Sequence, residues 1–172
     1  KTKTLEREMK YRGELLLTYR IDYPHFTGAE NFMAVMSVNC FYSRRARSYQ
    51  RHLERVLYPQ AVRQYRFSQE KGFPTRAWEA TEEFKVTEQT DCIVSMYMDR
   101  YEYTGGAHGN TVESAQTWLL PKGEPVSLHG LFACPRKESM EYLFRIIEAQ
   151  IKSQPEIYFE NAGELARKNF NK

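Results

Sequence analysis

The sequence lacks the short patterns that mark familiar enzyme and membrane classes. It has no Gly-rich loop leading into a Lys at a helix start, no GxGxxG after a strand and no GxSxG, so neither a phosphate-binding loop nor a serine-hydrolase elbow is predicted. No run approaches the ~18 apolar residues of a membrane-spanning helix. The net charge of +3 is too small to predict a nucleic-acid-binding face. A soluble binding domain remains the simplest expectation.

Metal-binding and disulfide patterns are missing as well. The three cysteines, Cys40, Cys92 and Cys134, form no CxxC pair, and their odd number argues against a dense disulfide framework. We expect buried free thiols, or at most one bridge. The four histidines show neither HxxxH nor HExxH spacing, and the carboxylates show no paired acid–base pattern. We therefore predict no catalytic residue, no metal and no cofactor.

What the chain has in abundance is aromatic residues. They make up 14% of the sequence, and 12 of them are tyrosines, which suit half-exposed sheets and binding surfaces because the ring packs while the hydroxyl stays wet. The length of 172 residues is that of one ordinary domain. The polar start predicts a linker or frayed end over residues 1–13, and residues 14–172 are predicted to form a single domain with subregions 14–75 and 76–172. The chain opens at Lys1, as expected of a mature form or a piece of a longer protein.

Hydrophobic periodicity predicts the elements of this domain. Alternation of apolar and polar residues predicts four strands, and steps of three and four predict a long helix from about Val38 to about Gln69, kinked or broken near Leu57 by Pro59. A short helical turn after Ser127 and two C-terminal helices complete the prediction. The predicted strands are Glu14–Tyr23, Trp78–Val86, Cys92–Tyr103 and Val112–Leu120, and the predicted C-terminal helices are Lys137–Ser153 and Glu160–Phe170. The predicted fold class is α+β: an antiparallel sheet meander with the long helix and a C-terminal helix packed on one side.

A glycine-rich stretch between the last two predicted strands is the main candidate site. Three glycines within five residues favour a tight backbone path, and the ligand-binding candidates here are Tyr101, Tyr103, Gly105, Gly106 and His108. An exposed His on such a loop could contact a ligand. The favoured interpretation is that its ring pins the loop by bonding to neighbouring backbone, since a lone His without a partner is a weak site. For the tyrosines, sheet packing is favoured over a binding strip.

A second candidate is a row of arginines on the long helix. Arg44, Arg47, Arg51 and Arg55 recur at helical spacing on its outer face, with Arg45 beside them. The row could follow an anionic polymer. An ordinary solvated helix face is favoured, because long basic side chains commonly cover helix surfaces and the net charge is small.

The glycine-rich loop and the segment after it resemble a known family. The run Tyr103–Gly109, then a strand, then Leu120–Leu128 and the pair Leu131–Phe132 resembles an extracytoplasmic domain family of uncharacterised function from Gram-positive bacteria. The resemblance extends in kind to the ectodomain of the anti-sigma-V factor, a lysozyme receptor, and to the non-catalytic N-terminal region of a peptidoglycan N-acetylmuramic acid deacetylase. The family segment has an Asp where this chain has His129 and Gly130 before its Leu–Phe pair.

The resemblance implies a function that the residues alone do not. It implies a non-catalytic, extracytoplasmic binding or sensor domain of a cell-envelope protein, with a protein such as lysozyme or a cell-wall glycan as partner. The alternative is an accessory domain of a peptidoglycan-modifying enzyme. A basic helix face would oppose lysozyme, which is itself basic, because like charges disfavour association.

Overall fold

The computed structural model describes residues 1–27 and 32–170. The chain forms two compact units, Lys1–Val126 and Ser127–Lys172, where the sequence predicted one domain over 14–172. The first unit contains a six-stranded sheet and a long helix, and the second is built of helices. The predicted α+β class is confirmed.

The elements that the hydrophobic pattern predicted are present with bounds within a few residues, except that the long helix begins at Phe32 where the prediction began near Val38. In the first unit the elements are β1 Thr2–Tyr11, β2 Glu14–Pro24, α1 Phe32–His52, a π-helical turn Leu53–Leu57, α2 Tyr58–Lys71, β3 Trp78–Gln89, β4 Ile93–Tyr103, β5 Asn110–Leu119 and β6 Glu124–Val126. In the second unit they are a 3₁₀ turn Leu128–Leu131, α3 Arg136–Ser153, a 3₁₀ turn Pro155–Ile157 and α4 Ala162–Phe170. Ser127 caps the first of these turns as predicted, with its Oγ accepting from the Gly130 N–H at 3.2 Å.

The strands lie in the sheet in their chain order, β1 to β6. All neighbouring pairs are antiparallel except β2 and β3, which are parallel with Leu17 opposite Trp78. The predicted meander therefore holds from β3 onward. The β2–β3 pair departs from it because parallel neighbours need a long crossover, and α1 with α2 supplies that crossover.

Residues 1–13, predicted to be a linker, instead supply the edge strand β1. This strand pairs with β2 over its whole length, and Arg12 and Gly13, both with positive φ, form the turn between them. Leu5 and Met9 pack against the core while most of β1 is exposed. An edge strand that is mostly exposed needs few apolar residues, which is why its hydrophobic alternation is weak. The predicted turn at Pro121–Pro125 likewise runs into the three-residue strand β6.

The long helix changes register where Pro59 predicted a break. The residues Leu53–Leu57 form a π-helical turn, in which the Tyr58 N–H donates to the Leu53 carbonyl, and α2 then begins with Pro59 in its first turn. Proline has no N–H to donate to the preceding turn, and the irregularity lies directly before it. The predicted position of the irregularity is thus confirmed, and it takes the form of a π-helical turn within a continuous helical segment.

The core lies between the sheet and the helix α1. Fully enclosed side chains of the strands, such as Ile21 and Val94, pack with Val38 and Leu53 of the helical segment. The three cysteines lie outside this core. All are free and exposed, which corrects the expectation of buried thiols: Cys40 lies on the helix face away from the core residues Val38 and Tyr42.

Candidate functional site

The glycine-rich loop between β4 and β5 holds a backbone path that only glycine fits. Gly105 has a φ of +83°, in the left-handed region that other residues avoid. A side chain on Gly109 would overlap the Tyr101 ring. The Tyr103 hydroxyl donates to the Gly106 carbonyl at 3.0 Å, and Nδ1 of the exposed His108 lies 3.3 Å from the Gly109 carbonyl oxygen. The loop is thus folded by its own tyrosines and backbone.

A cavity of about 450 Å³ lies beside this loop. We call it the loop pocket, and its lining includes Gln64 and Tyr65 of α2, Arg76, Trp78 of β3, Tyr103 and Gly105. The pocket also includes Gly106, so three of the five predicted loop residues come together there. Tyr101 and His108 do not line it.

Trp78 forms the inner wall of the loop pocket. Trp78 is only 8% exposed, and its Nε1 lies 3.1 Å from the position that a Cβ on Gly105 would take. Among the described residues, the fully enclosed side-chain N and O atoms without a partner are Arg45 Nε and His129 Nδ1. The Trp78 indole N–H donates to no group in that part of the chain and is not among these fully enclosed atoms, and Trp78 lines the pocket. An indole N–H can only donate, so the pocket offers a donor to a ligand.

Sequence reasoning missed Trp78 and Tyr65. The signal for Trp78 was the register of the hairpin β3–β4, in which Glu79 lies opposite Tyr103 and so places Trp78 next to the loop. No comparable signal existed for Tyr65, because its position depends on where α2 crosses the sheet.

The predicted arginine row is exposed over its whole length. In the described part of the chain, none of Arg44, Arg47, Arg51 and Arg55 forms an ion pair with a carboxylate. Arg44 lines a large cavity in the described part of the chain, and the other three do not line that cavity. The structure thus separates Arg44 from the other three.

That cavity is a groove of about 1120 Å³ between α1 and the strands β4 to β6, which we call the α1 groove. One stripe of α1 forms its wall, with Met33, Phe41, Arg44, Ser48 and His52 among its residues. Its floor includes Arg100 and Glu102 of β4, Trp118 of β5 and Pro125 of β6. The groove and the loop pocket have no lining residue in common.

A buried ion cluster lies under the α1 groove. Glu82 of β3 is only 1% exposed, and its Oε2 accepts from Nε and Nη2 of Arg100 at 3.0 and 2.6 Å. Arg45 of α1 reaches the same oxygen at 3.4 Å and donates to Ser114 Oγ at 2.9 Å. A buried carboxylate is tolerated when paired and hydrogen-bonded in this way. The cluster fixes both guanidinium groups at the groove floor.

Tyr49 links this cluster to the groove surface. The Arg100 guanidinium lies over its ring, 3.6 Å from the ring centroid, a cation–π contact. The Tyr49 hydroxyl donates to Glu102 Oε1 at 2.8 Å. Burial raises the pKa of Tyr49 far above the usual value near 10, and the hydrogen bond to the Glu102 carboxylate raises that pKa further.

This pKa predicts a loss of stability at alkaline pH. The folded Tyr49 hydroxyl resists ionisation, while the unfolded one ionises near pH 10. The contribution of Tyr49 to the free energy of unfolding is therefore fully present below pH 10 and falls as the pH rises above it. The slope approaches about 1.4 kcal/mol per pH unit for this side chain. Urea unfolding between pH 9 and 11 measures it. The Tyr49→Phe protein should lose that part of the slope, and equal slopes for the two proteins would contradict the assignment.

Two further features concern metal binding and membrane insertion. Within residues 1–27 and 32–170, no cluster of three or more His, Cys, Asp or Glu side chains is placed to hold a metal ion. Over the same residues, no helix combines the length and apolarity required to cross a membrane.

The fold and the two cavities define a mixed α+β domain with ligand-sized recesses on an open sheet. The family described as deacetylase PdaC matches residues 12–111, which is more than half of the chain, and the chain belongs to that family. The match runs from the β1–β2 turn to the start of β5. It therefore includes α1, α2 and the glycine-rich loop.

Two solved structures share the fold. A DUF3298 family member from Bacteroides fragilis superposes with a TM-score of 0.67 at 16% identity, over 95% of this chain and 71% of its own. A DUF3298 family protein from Pseudomonas aeruginosa superposes with a TM-score of 0.53 at 19% identity, over 90% of this chain and 68% of its own. No curated protein sequence matches the chain significantly. The chain is thus a member of a domain family whose fold recurs in DUF3298 proteins.

Proposed function

We propose that the chain is a non-catalytic, extracytoplasmic binding domain of a cell-envelope protein, and that its loop pocket holds a saccharide unit of the cell-wall glycan. The open indole N–H of Trp78 carries the proposal. A largely buried tryptophan that lines a recess of about 450 Å³, with an indole N–H that has no partner among the described residues, suits a ligand with a neutral acceptor, such as the carbonyl of an N-acetyl group.

The rest of the lining fits the same chemistry. Tyr65 and Tyr103 add aromatic surface with polar hydroxyls, which suits the mixed apolar and hydroxylated faces of a sugar. Gln64 and Ser68 add neutral hydrogen-bonding groups, and Arg76 is the one charged group among the lining residues that the structure describes. Such a site favours a neutral polyhydroxyl ligand over a strongly charged one.

The location of the protein rests on its resemblances. The glycine-rich loop resembles an extracytoplasmic family of Gram-positive bacteria, and the resemblance is similar in kind to the ectodomain of the anti-sigma-V factor. A sensor role with lysozyme as ligand would be in keeping with that likeness. The exposed arginine row disfavours a basic partner such as lysozyme, so the glycan is the preferred ligand.

The family description supports a second candidate, an accessory domain of a peptidoglycan-modifying enzyme. The matched family is described as a deacetylase, and a wall-binding domain could hold such an enzyme at its substrate. Incubating the chain with N-acetylated muropeptides and measuring released acetate separates the two roles. Turnover by this chain alone would contradict the non-catalytic part of the proposal.

The test of glycan binding uses Trp78 as its own reporter. The chain has two tryptophans, so the Trp118→Phe protein retains only Trp78. Titration with soluble N-acetylglucosamine–N-acetylmuramic acid oligomers should change its fluorescence saturably. In calorimetry on the unmodified chain, Tyr65→Ala should weaken binding about tenfold, since one aromatic contact is worth about 1.4 kcal/mol there.

Tyr97→Ala on β4 is the matched control, because Tyr97 is partly buried and lines neither cavity. It should leave the affinity unchanged. Absence of any heat with the oligomers, or equal effects of the two substitutions, would overturn the proposal. Lysozyme binding that survives Tyr65→Ala would instead favour the sensor role.

A further inference from the structure

The α1 groove is long enough for a polymer. Its wall extends along α1 from Met33 to His52, which at 1.5 Å per residue is roughly 28 Å. An extended peptide of about eight residues has that length.

One end of the groove carries an excess of positive charge. The guanidinium groups of Arg44, Arg45 and Arg100 line it, and the carboxylates there are those of Glu102 and of the enclosed Glu82. Three positive charges against two negative ones leave one in excess. The side chains of Arg45 and Arg100 are 29% and 30% exposed, so both can be reached from the groove. This end favours a carboxylate ligand, because guanidinium groups bind carboxylates in paired hydrogen bonds.

The other end of the groove is apolar. Met33, Met36 and Phe41 are 65%, 41% and 39% exposed, and the Phe41 ring lies against Trp118 with the centroids 5.0 Å apart. Exposed methionines beside an aromatic ring form an adaptable surface for apolar side chains. The groove is therefore cationic at one end and apolar at the other.

We propose that the α1 groove binds an extended acidic peptide segment of a partner protein. The segment's Asp or Glu side chains lie against the arginines at the His52 end, and its apolar side chains lie against the methionines and Phe41. A peptide fits better than an acidic glycan, because a glycan has no bulky apolar groups to cover the methionine end. This site is separate from the loop pocket.

Two fluorescent octapeptides provide the probe. Each has four Glu at one end and Leu and Phe at the other, and the two differ in chain direction, so that either orientation in the groove is sampled. We expect at least one to bind the full chain in fluorescence anisotropy at low salt. The same peptide with Gln in place of Glu should bind on the order of tenfold more weakly.

The chain offers a matched pair of variants for the site. Arg44→Glu and Arg47→Glu change the net charge equally on neighbouring turns of α1, but only Arg44 lines the groove. Arg44→Glu should weaken peptide binding on the order of tenfold, while Arg47→Glu should weaken it less than about twofold, the residual effect of a screened surface charge. Both residues are exposed, so both variants should fold, which circular dichroism checks.

Three results would overturn the proposal: binding of neither peptide, equal effects of the two Arg variants, or displacement of the peptide by an oligogalacturonate at similar concentration. The last result would assign the groove to an acidic glycan. The wall oligomers probe the loop pocket through Tyr65, which does not line the α1 groove, so their dependence on Tyr65 stands independently of these three.

Discussion

Replacing Glu82 with Gln is expected to lower the free energy of unfolding by about 3 kcal/mol, because it breaks a buried ion cluster by removing one partner. Glu82 Oε2 accepts from both Arg45 and Arg100. Without the carboxylate, the two guanidinium groups repel each other and lose the negative charge that compensates them. Chemical denaturation at neutral pH measures the loss as a shift in the urea midpoint.

Glu83→Gln is the matched control, since Glu83 is the next residue of β3 but points to the exposed face. It should change the stability by less than about 0.5 kcal/mol. A second test separates two causes of the instability: the loss of the ion-pair attraction and the cost of leaving the guanidinium groups without a counter-charge. If the stranded guanidinium groups cause the instability, adding Arg100→Met to Glu82→Gln should recover part of the loss. A Glu82→Gln protein as stable as the Glu83→Gln protein would contradict the role assigned to the cluster.

The cluster also illustrates what alternation in a sequence can and cannot predict. Period two puts Glu82 on the same buried face of β3 as Trp78 and Ala80. A single charged residue at a core position gives no sign of its partner. Arg45 and Arg100 are 37 and 18 residues away from Glu82 in the chain, so the pairing results from the packing of α1 across β3 and β4.

The sequence predicted correctly those features that depend on only a few neighbouring residues. The break at Pro59 and the cap at Ser127 depend on single residues and their nearest neighbours, and both were predicted. β1 was missed because an edge strand is defined by its neighbour β2 more than by its own composition.

The candidate site was likewise predicted only in part. The glycine spacing identified the loop, and Tyr103, Gly105 and Gly106 do line a cavity. The opposite wall comes from α2, whose position over the loop depends on the crossover between parallel strands. The arginine row was visible as a helical stripe, but only the sheet floor distinguishes Arg44 from Arg47.

Replacing Gly123 with Ala is expected to cost about 2–4 kcal/mol, through two effects. Gly123 lies in the turn between β5 and β6 with a φ of +66°, where an alanine is disfavoured by about 1 kcal/mol. In addition, a Cβ there would lie 2.6 Å from the Ala34 α-carbon and 2.7 Å from the Ala34 carbonyl oxygen. Backbone cannot rotate away as a side chain can, so α1 or the hairpin must shift, at a cost of about 1–3 kcal/mol.

Gly72→Ala separates the two effects. Gly72 ends α2 with a nearly identical φ of +70°, yet a Cβ there would meet nothing within 4 Å. It should cost only the conformational part, about 1 kcal/mol. The free energies of unfolding of the two variants, measured by urea denaturation, should therefore differ by the cost of the overlap with Ala34. Equal losses would mean that α1 and the β5–β6 turn are not in close contact. Since Gly123 also lines the α1 groove, a shift of α1 in Gly123→Ala would move the apolar end of the groove away from its floor. That variant should therefore bind the acidic octapeptide more weakly even where it remains folded, whereas Gly72→Ala should bind it as the unmodified chain does.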